Sequence, residues 1–141
     1  MSSILIFLHG SLYAGLFCLV TTVLHSFLLV DIPILMDLPG CEPNAISHYT
    51  DRGRHYKMAV PMYCSALTLG VLGNAILERN KASIVVLLLA VGTAMNNGRN
   101  VVNPSKRLAK KNSTHLLKQM ANGHVVDLVG FCLILICNLS L

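Results

Sequence analysis

The chain is predicted to be all-α, a bundle of four membrane-spanning helices, and three observations carry that reading. Apolar runs at 4–30, 58–77, 82–102 and 125–141 fill most of the 141 residues. None of them alternates with the period of two that a lipid-facing strand needs. Almost every charge lies between the runs rather than inside them. A bilayer core takes about 20 helical residues to cross. Inside it every backbone N–H must find an internal partner, and a helix supplies that partner by itself.

Composition supports the same conclusion. Hydrophobic residues make up 54% of the chain and charged residues 12%, against about 25% charged in soluble domains. A soluble bundle would need a wet face on each helix, and segments 84–91 and 131–137 contain no residue that could make one. Four spans leave no room for a second domain.

The first span carries Ser11 and Gly15 four apart, a spacing that lets two helices approach closely. His9 and Tyr13 form another such pair, and His9 and His25 are read as packing residues. The run lacks a positive leader and is longer than a signal core, so it is read as a retained span. Asp31-Ile32-Pro33 is expected to end it, because proline breaks a helix. The first loop passes the turn signals Pro39-Gly40 and Pro43-Asn44 and a short helix near 45–55. Pro61 falls in the first turns of the second span and is expected to kink it or mark its start. Ala66 and Gly70 repeat the small-residue spacing. The second loop, 78–81, is a tight turn that makes spans two and three antiparallel neighbours.

The third span changes character after Met95. On a helix Asn96, Arg99, Asn100 and Asn103 fall at i, i+3, i+4 and i+7, one polar stripe, and Pro104 is expected to stop it. Segment 105–120 reads as an amphipathic helix on the membrane surface, with Leu108, Leu116, Leu117 and Met120 as its apolar edge and its lysines near anionic headgroups. The fourth span opens with His124 and Asp127 on one face.

The net charge of +5 does not point to nucleic acid, because the basic residues flank the spans. Arg52, Arg54 and Lys57 lie in loop one, and Arg99, Lys106, Arg107, Lys110, Lys111 and Lys118 near loop three. Loop two holds only Arg79 and Lys81. The positive-inside rule puts loops one and three in the cytoplasm and both termini outside. The sequon Asn112-Ser113-Thr114 is then expected to stay unglycosylated. Four cysteines, Cys18, Cys64, Cys132 and Cys137, sit within spans and Cys41 in a loop. No C-x-x-C pattern suggests zinc or redox chemistry.

This topology gathers Asp31, the His55-Tyr56-Lys57 run, the asparagine stripe, His124 and Asp127 at one end of the bundle. Buried ionisable groups in a membrane face the bundle interior with a partner. Asp127 is the deepest acid, and Arg99 is its expected partner. Such a cluster fits either a small-molecule pocket or polar glue between helices. His124 and Asp127 with His55 are the nearest thing to a metal set, but no span carries a Glu-x-x-His pair, so no metal is expected.

Several segments together resemble the anthrone oxygenase-like family of small four-span membrane proteins. They are Tyr13-Ala14-Gly15-Leu16, the Asp31-Ile32-Pro33 exit and Tyr49-x-x-x-Gly53-Arg54, then Pro61, and a final stretch from Asn103 through Leu108, Leu116-Leu117-Lys118 and His124. The likeness runs over nearly the whole chain. Met120 stands where the family commonly has Trp, and Asp127 where it commonly has Arg. The resemblance implies a cofactor-independent oxygenase that turns a lipophilic aromatic anthrone into a quinone with dioxygen. It implies His124 as a base tuned by Asp127, with Asn96, Arg99, Asn100 and Tyr56 binding the substrate and its oxyanion. Two other readings stay open: a non-catalytic subunit of a homo- or hetero-oligomeric membrane complex, and a binder of lipophilic small molecules. The lipid bilayer is a partner in all three.

Overall fold

The computed structural model describes residues 2–50, 53–111 and 113–140, and for residues 53–57 the backbone alone. The first rod is α1 (Ser3–Ser26), a π-helical segment (Phe27–Asp31) and α2 (Ile32–Leu35). A short α3 (Glu42–Thr50) leads to α4 (Gly53–Glu78). The third rod is α5 (Lys81–Asn97), a second π segment (Gly98–Val102) and α6 (Asn103–Leu108). The fourth is α7 (Thr114–Leu139). The all-α four-helix bundle is thus what the chain forms. Ser3–Leu35, Met58–Glu78, Lys81–Leu108 and Thr114–Leu139 are each long and apolar enough to cross a membrane. Side chains such as Phe17, 73% exposed, and Met95, 71% exposed, lie on their outer faces. A bilayer tolerates that surface and water does not, so the chain reads as an integral membrane protein.

Neither proline that was expected to end a span does so. Pro33 is the second residue of α2 and Pro104 the second residue of α6. Each follows a π segment, closed by Ile32 N–H on the Phe27 carbonyl and by Asn103 N–H on the Gly98 carbonyl. A proline removes one i→i−4 bond and crowds the carbonyl four residues back. With the local bonds running five residues back, the backbone widens there and the rod continues. Pro61 is also carried inside its helix, α4, which starts at Gly53.

The expected surface helix between spans three and four is likewise absent as a separate element. Segment 105–120 divides between the end of α6, a turn, and the first turns of α7. Its apolar edge does not face headgroups. Leu108, Leu117 and Met120 are fully buried, packed with Val30, Ile34 and Ala45 beneath α3. Covering that edge with α3 buries more apolar surface than a lone helix lying at the interface would.

The tightest helix pair is α1 with α4, and the small-residue spacings explain it. A Cβ added at Gly15 would lie 2.5 Å from the Leu67 amide nitrogen and 2.7 Å from the Tyr63 carbonyl oxygen. One at Gly70 would lie 2.6 Å from the Leu12 nitrogen. The two backbones therefore touch, as small residues allow in a membrane. The Ser11 hydroxyl adds a bond of 2.8 Å to the Ala66 carbonyl. The third rod packs as closely on α7, with Gly130 against Thr93 of α5 and Gly123 against Asn100 of the π segment. Asn80 caps α5 by accepting from the Ser83 amide at 2.7 Å, which makes the tight second turn.

Candidate functional site

Both π segments pack against α7 at the same end of the bundle, where two carboxylates are buried. Asp31 closes the first π segment and is 1% exposed; Asp127 on α7 is fully buried. The surroundings of the two differ.

Asp31 meets two titratable side chains from distant parts of the chain. Its Oδ2 lies 2.5 Å from His124 Nδ1, and its Oδ1 accepts the hydroxyl of Tyr49 from α3. The Tyr49 oxygen is also 3.4 Å from His124 Nδ1, and the two rings lie 6.0 Å apart. Burial, then the negative Asp31 beside it, then its hydrogen bond to that carboxylate all push the Tyr49 phenol well above its ordinary value. The phenol is therefore held as a neutral donor. In the neutral tautomer that donates Nδ1–H to Asp31, the His124 lone pair is at Nε2, which makes no hydrogen bond to any described residue. Beside this group His48 Nε2 lies 3.0 Å from the Ser26 hydroxyl, which helps hold α3 over the rod ends.

Asp127 meets neutral amides instead. Asn96 Nδ2 donates to its Oδ1 at 2.7 Å and Asn97 Nδ2 to its Oδ2 at 2.6 Å. Asn96 Nδ2 also reaches the Gly123 carbonyl at 3.0 Å. Asn96 Oδ1 accepts from Asn100 at 2.8 Å, and Asn100 Oδ1 in turn accepts from Gln119 at 3.3 Å. Each oxygen of the carboxylate thus has a donor, and among the described residues no Lys or Arg pairs with it.

The expected Arg99–Asp127 pair does not form: Arg99 is exposed, and the ion pairs among the described residues are others. A long guanidinium side chain near a span end reaches water more cheaply than it enters the bundle. Asn97, which the stripe omitted, takes the arginine's place. The stripe assumed 3.6 residues per turn, and the π segment starting at Gly98 breaks that phase. Asn103, also assigned to the stripe, is exposed.

His124 and Asp127 do share a face of α7, and Asp31 joins them. Asn96 and Asn100 converge on Asp127 rather than on His124. Tyr56 falls in α4 with its side chain outside the described residues, as do those of His55 and Lys57; Arg52 lies outside them altogether. Tyr49 was the site residue that sequence reasoning passed over, although it stands in the segment that carries the family resemblance. His9, read as a packing residue, bonds Glu78 at 3.0 Å, with Asn74 3.5 Å away, at the opposite end of the bundle.

An open groove of about 480 Å³ runs beside the Asp127 node, between α5 and α7, with Asn96, Asn100 and Gly123 in its wall. Comparison with family models, with curated proteins and with solved structures found no match for this chain.

Proposed function

We propose that the chain is a membrane-embedded oxygenase of the cofactor-independent kind, acting on an anthrone-like polycyclic aromatic. The observation that carries this reading is His124, with Nδ1 held by a buried carboxylate and Nε2 without a hydrogen-bond partner among the described residues. An imidazole oriented in that way is set up to take a proton at Nε2.

The chemistry needs little else. His124 Nε2 removes a proton from the doubly benzylic CH2 of the anthrone, and the charge delocalises onto the ring oxygen. The carbanion gives one electron to dioxygen, and the radical pair joins as a C–O bond to form the peroxide. As the O–O bond breaks, the second benzylic hydrogen passes as a proton to the distal oxygen, giving the ketone and hydroxide, and His124 returns its proton to that hydroxide to give one water. Tyr49, kept protonated, gives its one O–H to Asp31 and so helps hold the carboxylate that orients His124. Asp127 is assigned to structure in this scheme, because the Asn96 and Asn97 amides satisfy it. Loops one and three face the cytoplasm in this proposal, which a glycan at Asn112 would contradict.

The test uses the full chain in nanodiscs with a hydroxylated anthrone under oxygen. Oxygen uptake and quinone absorbance are followed for the wild type and for His124→Gln. Quinone formation that depends on His124 supports the proposal. Equal rates for the two proteins, matching empty nanodiscs, would end it.

A further inference from the structure

The α5–α7 surface carries a second feature, independent of the catalytic reading. The groove beside the Asp127 node meets another, of about 370 Å³, lower on the same two helices. The two share Val126 and so form one furrow. Its two halves differ in chemistry. The upper half is walled by Lys118, His115, Gln119 and Asn122 together with Asn96 of α5 and Asn100 of the second π segment. The lower half is apolar, walled by Leu88, Val129 and Leu133, with Gly92 and Gly130 as its low points. A Cβ at Gly92 would meet nothing within 4 Å, so the depression there is open to the outside.

We propose that this furrow holds one anionic phospholipid of the adjoining leaflet, with its phosphate at Lys118 and His115 and an acyl chain along the lower half. Three things select that occupant. The first is that Lys118 and the amide donors all lie in one half of the groove, while the other half offers almost only hydrocarbon. The second is length: Gly123 to Leu133 spans about 15 Å of helix at 1.5 Å per residue, half of a hydrocarbon core about 30 Å thick, the depth of one leaflet. The third is charge. Lys118 already touches Asp37 at 2.6 Å, but an ammonium has three donors. Both members of that pair are well exposed, so a phosphate can share the lysine. A packed protein helix would need no cationic head, and a zwitterionic lipid offers the same phosphate but sets its own ammonium beside Lys118, so the net-anionic headgroup is favoured.

The probe is a vesicle of equal parts phosphatidylglycerol and phosphatidylcholine, from which the full chain is extracted and analysed by native mass spectrometry. The wild type is expected to retain one phosphatidylglycerol in preference to phosphatidylcholine. Gly92→Leu fills the furrow and should lose that molecule. Lys118→Gln should weaken retention about fivefold, the effect of one basic residue near the surface. Gly10→Leu, on α1 where a Cβ also meets nothing, and Lys111→Gln, exposed and outside the groove wall, should retain lipid as the wild type does. Equal retention of the two lipids, retention of neither, or a dimer without lipid would overturn the proposal. So would undiminished retention in Lys118→Gln, a surface change that decides the matter even where Gly92→Leu fails to fold.

Discussion

Asp31 and Asp127 are buried at the same end of one bundle, both against α7, yet they are held there by opposite means. Asp31 faces an imidazole and a phenol, groups that can exchange a proton with it. Asp127 faces the Nδ2 groups of Asn96 and Asn97, which cannot. The first arrangement has groups that can pass a proton, as the proposed reaction requires, and the second has only amide donors that tie helices together. Burial alone does not separate the two carboxylates; the proton-exchanging capacity of their partners does.

The largest effect that would break this contrast concerns rate. His124→Gln is expected to lower anthrone oxidation by about 10²- to 10⁴-fold, the usual contribution of a positioned base. Asp127→Asn should change the rate by under about tenfold. Quinone absorbance under oxygen reads both, and a reversal of the two results would exchange the roles assigned here. Asp127→Asn should act on stability instead. It replaces an acceptor with an amide facing two donors, at a cost of about 3 kcal/mol for two bonds to a charged group, measured by denaturant unfolding in detergent.

Tyr49→Phe removes one bond to Asp31 and should cost about 1.5 kcal/mol in the same unfolding measurement. It also sharpens the contrast through pH. The folded chain keeps the Tyr49 proton where an ordinary tyrosine, at 10.0, gives it up. Above that pH the unfolded chain binds fewer protons than the folded one. The contribution of Tyr49 is therefore intact below pH 10.0 and shrinks as the pH rises above it, by up to about 1.4 kcal/mol per unit. Unfolding followed from pH 8 to pH 11 should show a shallower alkaline decline in Tyr49→Phe; identical declines would mean that the phenol is neither buried nor held by Asp31. The smallest effect is that of Arg99→Gln, which should shift stability by no more than about 0.5 kcal/mol, as for an exposed side chain. A loss near that of Asp127→Asn would restore the ion pair expected from the sequence.

Some of the architecture was legible because it follows from local chemistry. The four spans are long enough in apolar residues to be read by hydropathy, and Ser11, Gly15, Ala66 and Gly70 were legible because a four-residue spacing of small side chains has few other uses. The convergence of Asp31, Asn96, His124 and Asp127 followed from topology alone, since alternate loops lie at the same end of such a bundle. Pairing within that end was not legible. Asp31 and His124 are 93 residues apart, and nothing local chooses His124 over Asp127 as the partner of α3 and the first rod. Asn97 and Arg99 exchanged roles because a π segment follows Asn97, and no residue pattern in 98–102 announces it.

What the sequence by itself determined about this protein is the solvent it lives in and the number of times it crosses that solvent. Both follow from summed transfer energies that do not depend on neighbours. Which polar groups meet, how Pro33 and Pro104 are carried inside continuous rods, and that α3 buries Leu108, Leu117 and Met120 were decided only by the tertiary structure. These depend on the rotation of each rod about its axis. One added residue in a π turn changes that rotation by about 100°, since a turn holds 3.6 residues, and only packing against α7 and α3 selects the phase that keeps both carboxylates partnered.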